Sequence, residues 1–339
     1  MGLFRRKTKV MAAPSLTRGD ADLADMLQGA AAGRWRHLDQ FLDGRTDRWM
    51  AQSILTDDHS QVPLSVFENW AQSAPSPRSV AMLGHAQIRE AWAIRGRADA
   101  ANMNADAWEK FRAGLTTAEQ TLEQAIELDV SSADPWVGLV TTARGLQRSR
   151  AELVHRFEQA HEREPFHPLA CQAMLQGLAS KWGGSDDDMF GFARWIERNA
   201  PADSPARDAL PLAHLESVIA QHGEGPTVGD HFAFADVSAE ITRAASSFLE
   251  ATPEIARPAD LGPLNAYLLA LVPIDPTAAR LVIECAYRIA DRPTNLPWSC
   301  YSKGTVEARF RGVQQLRLKV AGSVMANGDI VGVSDPILH

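Results

Sequence analysis

Residues 134–165, DPWVGLVTTARGLQRSRAELVHRFEQAHEREP, carry the strongest structural signal in the chain. The stretch opens on Asp134-Pro135, and proline suits the first turn of a helix because its missing N–H would be unpaired there anyway. Trp136 and Val140 then follow at the spacing of one helical face. We therefore expect a helix that begins at residue 135 and stops near Gly145.

A second helix is predicted within the same stretch. Ser149 and Glu152 have the spacing of a capping box, which marks the start of a helix. Leu153, Phe157 and Ala160 lie on one face of the helix that follows. The two helices are separated by only a few residues, so the stretch predicts a helical hairpin.

A capping residue followed by proline recurs along the chain, at Ser76-Pro77, His167-Pro168, Ser204-Pro205 and Asp275-Pro276. Ser and Asp accept hydrogen bonds from the free N–H groups of a first helical turn. The segments between these starts keep the helical period, so the predicted fold class is all-α. Helices are expected at 20–31, 34–43, 46–57, 63–73, 77–96, 105–129, 135–147, 150–164, 168–182, 186–199, 205–221, 235–251, 260–272, 276–291 and 304–321.

A 33-residue spacing relates Pro135, Pro168 and Pro201, and each copy is predicted to form a helix pair. The copy that runs from Trp136 through Phe157 and Ala160 to Pro165 resembles a tetratricopeptide repeat. That family places an aromatic residue early in its first helix and an apolar–Ala–Pro series at the end of its second. The resemblance covers residues 105–205. It implies stacked helical hairpins with a concave, partner-binding face.

Beyond the repeats, the chain is similar to all-helical proteins of GC-rich actinobacteria, a likeness that implies no activity. We expect a helical-hairpin array with an N-terminal helical cap and a C-terminal helical lobe. The predicted segments are a basic tail at 1–19, a helical region at 20–100, repeats at 101–222, the lobe at 228–325 and a tail at 326–339. The boundary is placed at 222–230, where three glycines and one proline fall within nine residues.

The charge distribution constrains the partner. The whole chain carries −8, and residues 1–19 contribute +5 without any acidic residue, so the remainder carries −13. Nucleic-acid binding is not expected of such an acidic body, because neutralising phosphates dominates that affinity. A basic protein or peptide partner is favoured instead. Residues 1–19 are predicted to be a solvated terminus, with contact to an anionic membrane as the alternative.

The cysteines favour a cytoplasmic protein. Cys171, Cys285 and Cys300 are odd in number and widely spaced, which argues against a disulfide framework and a zinc knuckle. The most apolar stretch, 261–274, is too short to span a bilayer and is interrupted by prolines. We also expect no secretory signal, because no apolar run follows the basic start.

Two Glu-x-x-His pairs, Glu152/His155 and Glu158/His161, have the spacing found in di-iron helical bundles. Such bundles need the pairs on different helices. Here both pairs lie on one predicted helix. They are six residues apart, so one pair is rotated by about 240° from the other around the helix axis. We therefore predict a solvated polar helix face, and no metal or cofactor is assigned.

The segment 181–190, KWGGSDDDMF, allows two interpretations. In the structural one, the glycines end one helix, Ser185 caps the next, and three aspartates lie where the helix dipole favours negative charge. In the functional one, the same carboxylates beside Lys181 and Trp182 bind a cation or a basic partner loop. The structural interpretation is preferred because the segment lacks the alternating ligands of a calcium loop.

Other notable residues are assigned structural roles. Most of the nine tryptophans are expected in the core, with one or two lining a groove. Cys171 and His214 are predicted to be buried. Asp57-Asp58-His59 is interpreted as a polar helix end rather than a metal site.

Common catalytic motifs are absent from the sequence. It contains no H-E-x-x-H, no phosphate-binding G-x-x-x-x-G-K-[ST], no G-x-G-x-x-G after a strand and no G-x-S-x-G. The leading hypothesis is therefore a non-catalytic interaction scaffold. Its groove is expected to expose first-helix residues such as Arg144, Arg148 and Gln172. The alternative is a small-molecule-binding protein or enzyme with a pocket in the aromatic loop 295–301, near Trp298, Cys300 and Tyr301.

Overall fold

A computed structural model describes residues 16–95, 104–222, 227–272, 274, 278–289, 292 and 294. These residues form fifteen α-helices and a few short 3-10 helices, and none of them lies in a β-strand, which confirms the all-α class for this part of the chain. The α-helices are α1 (Ala21–Ala31), α2 (Leu38–Asp43), α3 (Arg48–Leu55), α4 (Leu64–Ser73), α5 (Pro77–Arg95), α6 (Ala105–Leu128), α7 (Asp134–Gly145), α8 (Arg150–Arg163), α9 (Pro168–Leu178), α10 (Asp186–Asn199), α11 (Ala209–His222), α12 (Thr227–Phe232), α13 (Ala235–Ala251), α14 (Leu261–Leu271) and α15 (Ala279–Ile289).

Most predicted helices match the observed ones to within a few residues, but three predictions were wrong. Ser180–Trp182 and Pro205–Asp208 form 3-10 helices instead of extending α9 and α11. The break after α9 comes from Ala179, whose extended backbone (ψ 149°) cannot continue a helix. Helix α12 was not expected among so many glycines. The predicted helix at 304–321 lies outside the described residues, as does the Asp275-Pro276 start.

Five of the predicted capping side chains are present, and one of them, Ser204, accepts the Ala206 N–H at 3.3 Å. Ser76, Ser149, His167 and Ser185 each accept a hydrogen bond from the backbone N–H three residues later. Asp134 does not act as a cap, because α7 begins at Asp134 itself. Its carboxylate instead accepts a hydrogen bond from Gln52 Nε2 on α3, at 2.9 Å. A long-range contact has therefore replaced the expected local one.

The described residues divide into two compact units, and Gly19–Gln221 form the first. Within it α5 packs along α6, and α7 contacts both. Leu122 of α6 lies between Gly84 of α5 and Gly138 of α7, where an added Cβ would approach Leu122 to 2.6 and 2.7 Å. The two glycines therefore permit the close approach of all three helices. The buried cluster at this crossing consists of Ile88, Ala91, Phe111, Leu115, Ala118, Leu122, Leu139 and Leu146.

A polar network is buried beside this cluster. Glu119 of α6 accepts hydrogen bonds from Arg156 and Arg148, each at 2.5 Å, and from the Thr142 hydroxyl at 3.0 Å. Burial alone would raise the pKa of Glu119, but these hydrogen bonds hold it below its usual range. Arg156 is itself buried and also donates to the Leu139 carbonyl, so the network ties α6, α7 and α8 together.

Helices α5, α7 and α9 lie side by side. Helix α7 contacts α5 and α9, while α6, α8 and α10 pack against α5, α7 and α9 respectively. We use the name α5–α7–α9 face for the surface of these helices that carries two groups of side chains. The first group lines a cavity near the starts of α7 and α9 and includes His85, Val137 and His167. The second group lies near the ends of α5 and α7 and includes Trp92 and Arg144.

The second unit contains α12 to α15, together with described residues before Gly19. Helices α13, α14 and α15 pack against one another, and the Phe248 and Tyr267 rings lie 5.7 Å apart between α13 and α14. Arg288 of α15 is buried and donates to the backbone carbonyl and the hydroxyl of Thr252, at 3.0 and 2.7 Å. Across the ranges that the structure covers, no helix is both long enough and apolar enough to cross a membrane.

Candidate functional site

A cavity of about 260 Å³ opens on the α5–α7–α9 face, where α3 lies alongside. Helices α3, α5, α7 and α9 each contribute to its wall, and the α3 contribution continues into the loop after that helix. We call it the histidine cavity, and its polar lining includes Gln52, Asp58, His85, Arg89, Asp134 and His167.

Two histidines are held in fixed orientations in this cavity. His85 Nε2 lies 2.9 Å from the Asp134 carbonyl oxygen and must donate to it, because a carbonyl only accepts. His167 Nδ1 accepts the Ala170 N–H at 3.4 Å as the cap of α9, and the ring packs edge-on against Trp49 with ring centres 6.4 Å apart. Each ring is therefore committed to one tautomer.

Burial favours the neutral form of both histidines. Burial lowers the pKa of His85, although the nearby Asp134 opposes the shift. Burial also lowers the pKa of His167 to about 4, against the opposing charge of Asp134. Among the residues that the structure describes, no group of three or more His, Cys, Asp or Glu side chains is arranged to hold a metal ion. The two histidines thus offer hydrogen-bonding groups beside the acidic Asp58 and Asp134 and the basic Arg89, within a partly apolar wall.

A second cavity, of about 410 Å³, shares Asp134 with the first and is strongly polar. Two of its arginines are already engaged. Arg78 lies 3.2 Å from an Asp39 carboxylate oxygen and 2.7 Å from Asp43, and Arg163 Nε donates to the Val130 carbonyl at 2.7 Å. Both of these guanidiniums therefore already bind acceptors within the protein.

A different arrangement occurs near the ends of α5 and α7, where two arginines surround two tryptophans. The Arg144 guanidinium carbon lies 4.9 Å from the Trp92 ring centre and 5.2 Å from that of Trp182. The corresponding Arg95 distances are 5.2 and 5.0 Å. The two indoles meet edge to face, with ring centres 5.7 Å apart. We call these four half-buried residues the Arg–Trp cluster.

The Arg–Trp cluster contains four hydrogen-bond donors that find no acceptor among the residues that the structure describes. Nε of Arg95 and of Arg144, and Nε1 of Trp92 and of Trp182, are buried without a hydrogen-bond partner in this part of the chain. Cation–π contacts with the indoles stabilise the guanidiniums by about 0.5–2 kcal/mol each. They do not supply acceptors to these N–H groups. Buried polar groups are normally hydrogen-bonded, so four buried N–H groups without acceptors in one cluster require an explanation.

Glu216 of α11 is the carboxylate whose charge acts on Arg144. It is already engaged, because Lys181 Nζ lies 2.6 Å from one of its oxygens and Gln176 Nε2 donates to the other at 3.0 Å. Burial and the like charge of Arg95 lower the pKa of Arg144 to about 10, which leaves it cationic at pH 7. Two positive charges therefore share the cluster without a carboxylate partner among the described residues.

The three residues expected to be exposed in a groove have different environments. Arg144 is half-buried in the Arg–Trp cluster, so its expected exposure was wrong, because the indoles of other segments cover it. Arg148 is exposed, but it pairs with the buried Glu119 of α6. Gln172 is half-buried and donates to Asp208 Oδ2 at 2.8 Å. The structure does not bring these three together in one site.

Of the four Glu-x-x-His residues of α8, Glu158 and His155 are exposed as predicted, while the others are used in packing and ion pairing. Glu152 accepts from Arg156 Nε at 2.6 Å, and the His155 ring packs against Trp136. His161 stacks on Phe157, with ring centres 5.7 Å apart, and its Nδ1 accepts the Phe166 N–H at 3.1 Å. His161 is thus half-buried among aromatic rings, not on the solvated face that we expected.

The segment 181–190 has the structural roles predicted for it. Gly183 adopts φ +87°, a conformation that suits glycine, and Ser185 caps α10. Asp188 accepts from Arg150 at 2.7 Å, and Asp186 accepts the Ser217 hydroxyl at 2.5 Å. Trp182, however, belongs to the Arg–Trp cluster, a role that the sequence did not indicate.

The remaining assignments mostly hold. Cys171 and His214 are buried, and Asp57-Asp58-His59 forms a turn after α3. Of the eight tryptophans within the described ranges, Trp70 alone is fully buried and the others are half-buried, so the expectation that most lie inside the core was wrong. They lie at its edge, where one ring face can contact other groups. Trp298 and its loop lie outside the described residues.

A scan of protein-family models and a search of curated proteins found no match to this chain.

Sequence reasoning missed Trp92 and Arg95 as site residues. The one available signal is their i, i+3 spacing, which places both on the same side of α5. Nothing in the sequence connects them to Arg144 or to Trp182.

Proposed function

We propose that this protein is a non-catalytic interaction scaffold, whose tetratricopeptide-like helical array holds a protein or peptide partner on the α5–α7–α9 face. The observation that carries the proposal is the side-by-side packing of α5, α7 and α9, each backed by the helix that follows it. In helical-repeat proteins such a row of first helices forms the binding surface.

The chemistry of this face fits partner binding. It carries half-buried aromatic and arginine side chains, which are enriched at protein interfaces. The histidine cavity provides a recess for a partner side chain. The −13 charge outside the first 19 residues favours a partner with basic segments. Membrane contact through residues 1–19 and a ligand pocket near Trp298 remain predictions from the sequence.

Site-specific photo-crosslinking in cells tests this function. Thr141 of α7 lies between Val137 of the histidine cavity and Arg144 of the Arg–Trp cluster, at helical spacing from both. Benzoylphenylalanine at Thr141 should capture a defined partner, identified by mass spectrometry. The matched control places the same group at Glu123, an exposed position of α6. Failure of Thr141 to capture a protein, or equal capture from Glu123, would refute a scaffold that uses this face.

A further inference from the structure

The Arg–Trp cluster combines two guanidiniums that have no directly paired carboxylate with four buried N–H groups that have no acceptor, as far as the described residues show. An unsatisfied buried donor destabilises the folded chain, and an unpaired buried charge does so more strongly. A guanidinium normally reduces this cost by pairing with a carboxylate, as Arg156 does with Glu119. An anion with several acceptor oxygens would supply the charge and the acceptors that the described residues do not provide here.

We propose that the Arg–Trp cluster is a binding site for a phosphate dianion, held by Arg95 and Arg144 and flanked by Trp92 and Trp182.

The number of charges and donors distinguishes phosphate from a carboxylate. A phosphomonoester carries about −1.5 to −2 charge at pH 7 and has three strong acceptor oxygens. It can neutralise both guanidiniums at once, whereas a carboxylate brings one charge and two oxygens. Arginine's planar fork also matches phosphate oxygens in bidentate geometry.

Solvent reaches part of the cluster. All four side chains are half-buried and keep some surface open to water, but their four unpaired N–H groups are covered, so phosphate binding requires the guanidiniums to turn toward solvent. The inference is independent of the scaffold proposal, because a small phosphate needs no partner protein to reach the site.

Isothermal titration of the full-length chain with inorganic phosphate at low ionic strength tests the site. We expect saturable binding of one phosphate, weakened at least tenfold by Arg144→Gln and by Arg95→Gln. Arg112→Gln removes the same charge from an exposed position of α6 and should leave binding unchanged. Circular dichroism verifies that each variant is folded. Arg144→Lys, which keeps the charge but loses the fork, should bind with intermediate affinity.

Two further ligands test which anion the cluster prefers and which kind of molecule supplies the phosphate group. Acetate, a single carboxylate, should bind at least tenfold more weakly than phosphate. A short phosphoserine peptide that binds more tightly than inorganic phosphate would identify a phosphorylated partner segment as the source, whereas weaker binding would identify a free phosphate compound. Absence of saturable phosphate binding, equal affinity for acetate, or equal weakening by Arg112→Gln would overturn the proposal.

Discussion

At the residue scale, His167 shows how one side chain can serve two structural purposes. It caps α9 through Nδ1, and it is buried to 3% exposure in the wall of the histidine cavity. Only the neutral ring can do both, because a protonated Nδ1 could not accept the Ala170 N–H. The burial that lowers its pKa to about 4 therefore couples this residue to the pH dependence of folding.

We predict that protonation of His167 destabilises the protein in mild acid. The unfolded pKa of histidine is about 6.5, above the folded value, so the unfolded chain binds the proton more tightly. The contribution of neutral His167 to the free energy of unfolding is fully present above pH 6.5. It is lost as the pH falls toward 4, by up to about 3 kcal/mol. Urea unfolding between pH 7 and 4 measures this loss.

The matched variants for this prediction are His167→Asn and His59→Asn. Asparagine at 167 keeps an oxygen that can cap α9 but cannot titrate in this range, so the free energy of unfolding should depend less on pH. His59 is exposed, and its replacement should not abolish the loss of stability toward pH 4. An unchanged slope in His167→Asn would contradict this account.

At the element scale, the crossing of α5, α6 and α7 depends on the absence of two side chains. Leu122 is fully buried between Gly84 and Gly138, and it cannot move away from one glycine without approaching the other. Glycine in a helix interior is unfavourable by about 1 kcal/mol relative to alanine, so its presence at these positions reflects packing. Helix propensity therefore favours alanine at these two positions, whereas the close packing of the three helices requires glycine.

We predict opposite effects of alanine at two helical glycines. Gly84→Ala should destabilise the protein by about 1–3 kcal/mol, because the new methyl overpacks against Leu122. Gly191→Ala in α10 meets no atom within 4 Å and should stabilise by up to about 1 kcal/mol. Chemical unfolding of both variants measures the difference, and a stabilising Gly84→Ala would show that Leu122 can relocate.

At the scale of the whole molecule, the chain is divided between two units. The first unit contains the α5–α6–α7 crossing, the Glu119 network, the histidine cavity and the Arg–Trp cluster. A unit that encloses its own hydrophobic core can fold independently. We therefore expect its stability to be a property of residues 19–221.

The corresponding prediction concerns two fragments. Residues 19–221 alone should be helical and should unfold in one cooperative transition, measured by circular dichroism during heating. Residues 19–163 lack α9, whose apolar side chains pack against α7, and should lose that cooperativity. A fragment 19–221 that fails to melt cooperatively, while the full chain does, would show that the first unit depends on the second.

Much of the local structure could be predicted because its causes are local. Ser149 and Ser185 cap helices through backbone groups three residues away, and the apolar periodicity places α8 and α10 within one or two residues. Such contacts involve neighbours along the chain, which the sequence displays directly. The same holds for the turn at Gly183, where a positive φ suits glycine.

The candidate site, in contrast, was decided by tertiary structure alone. Trp92, Arg95, Arg144 and Trp182 span about ninety residues of sequence, and only the packing of α5, α7 and the 3-10 turn after α9 brings their side chains together. Asp134 carries a helix-capping pattern but bonds to Gln52 because α3 lies beside it. The sequence by itself determined the all-α class and most helix positions, since hydrogen bonds within helices are local. Which charged groups remain without a partner depends on contacts between distant segments, and these exist only in the folded chain.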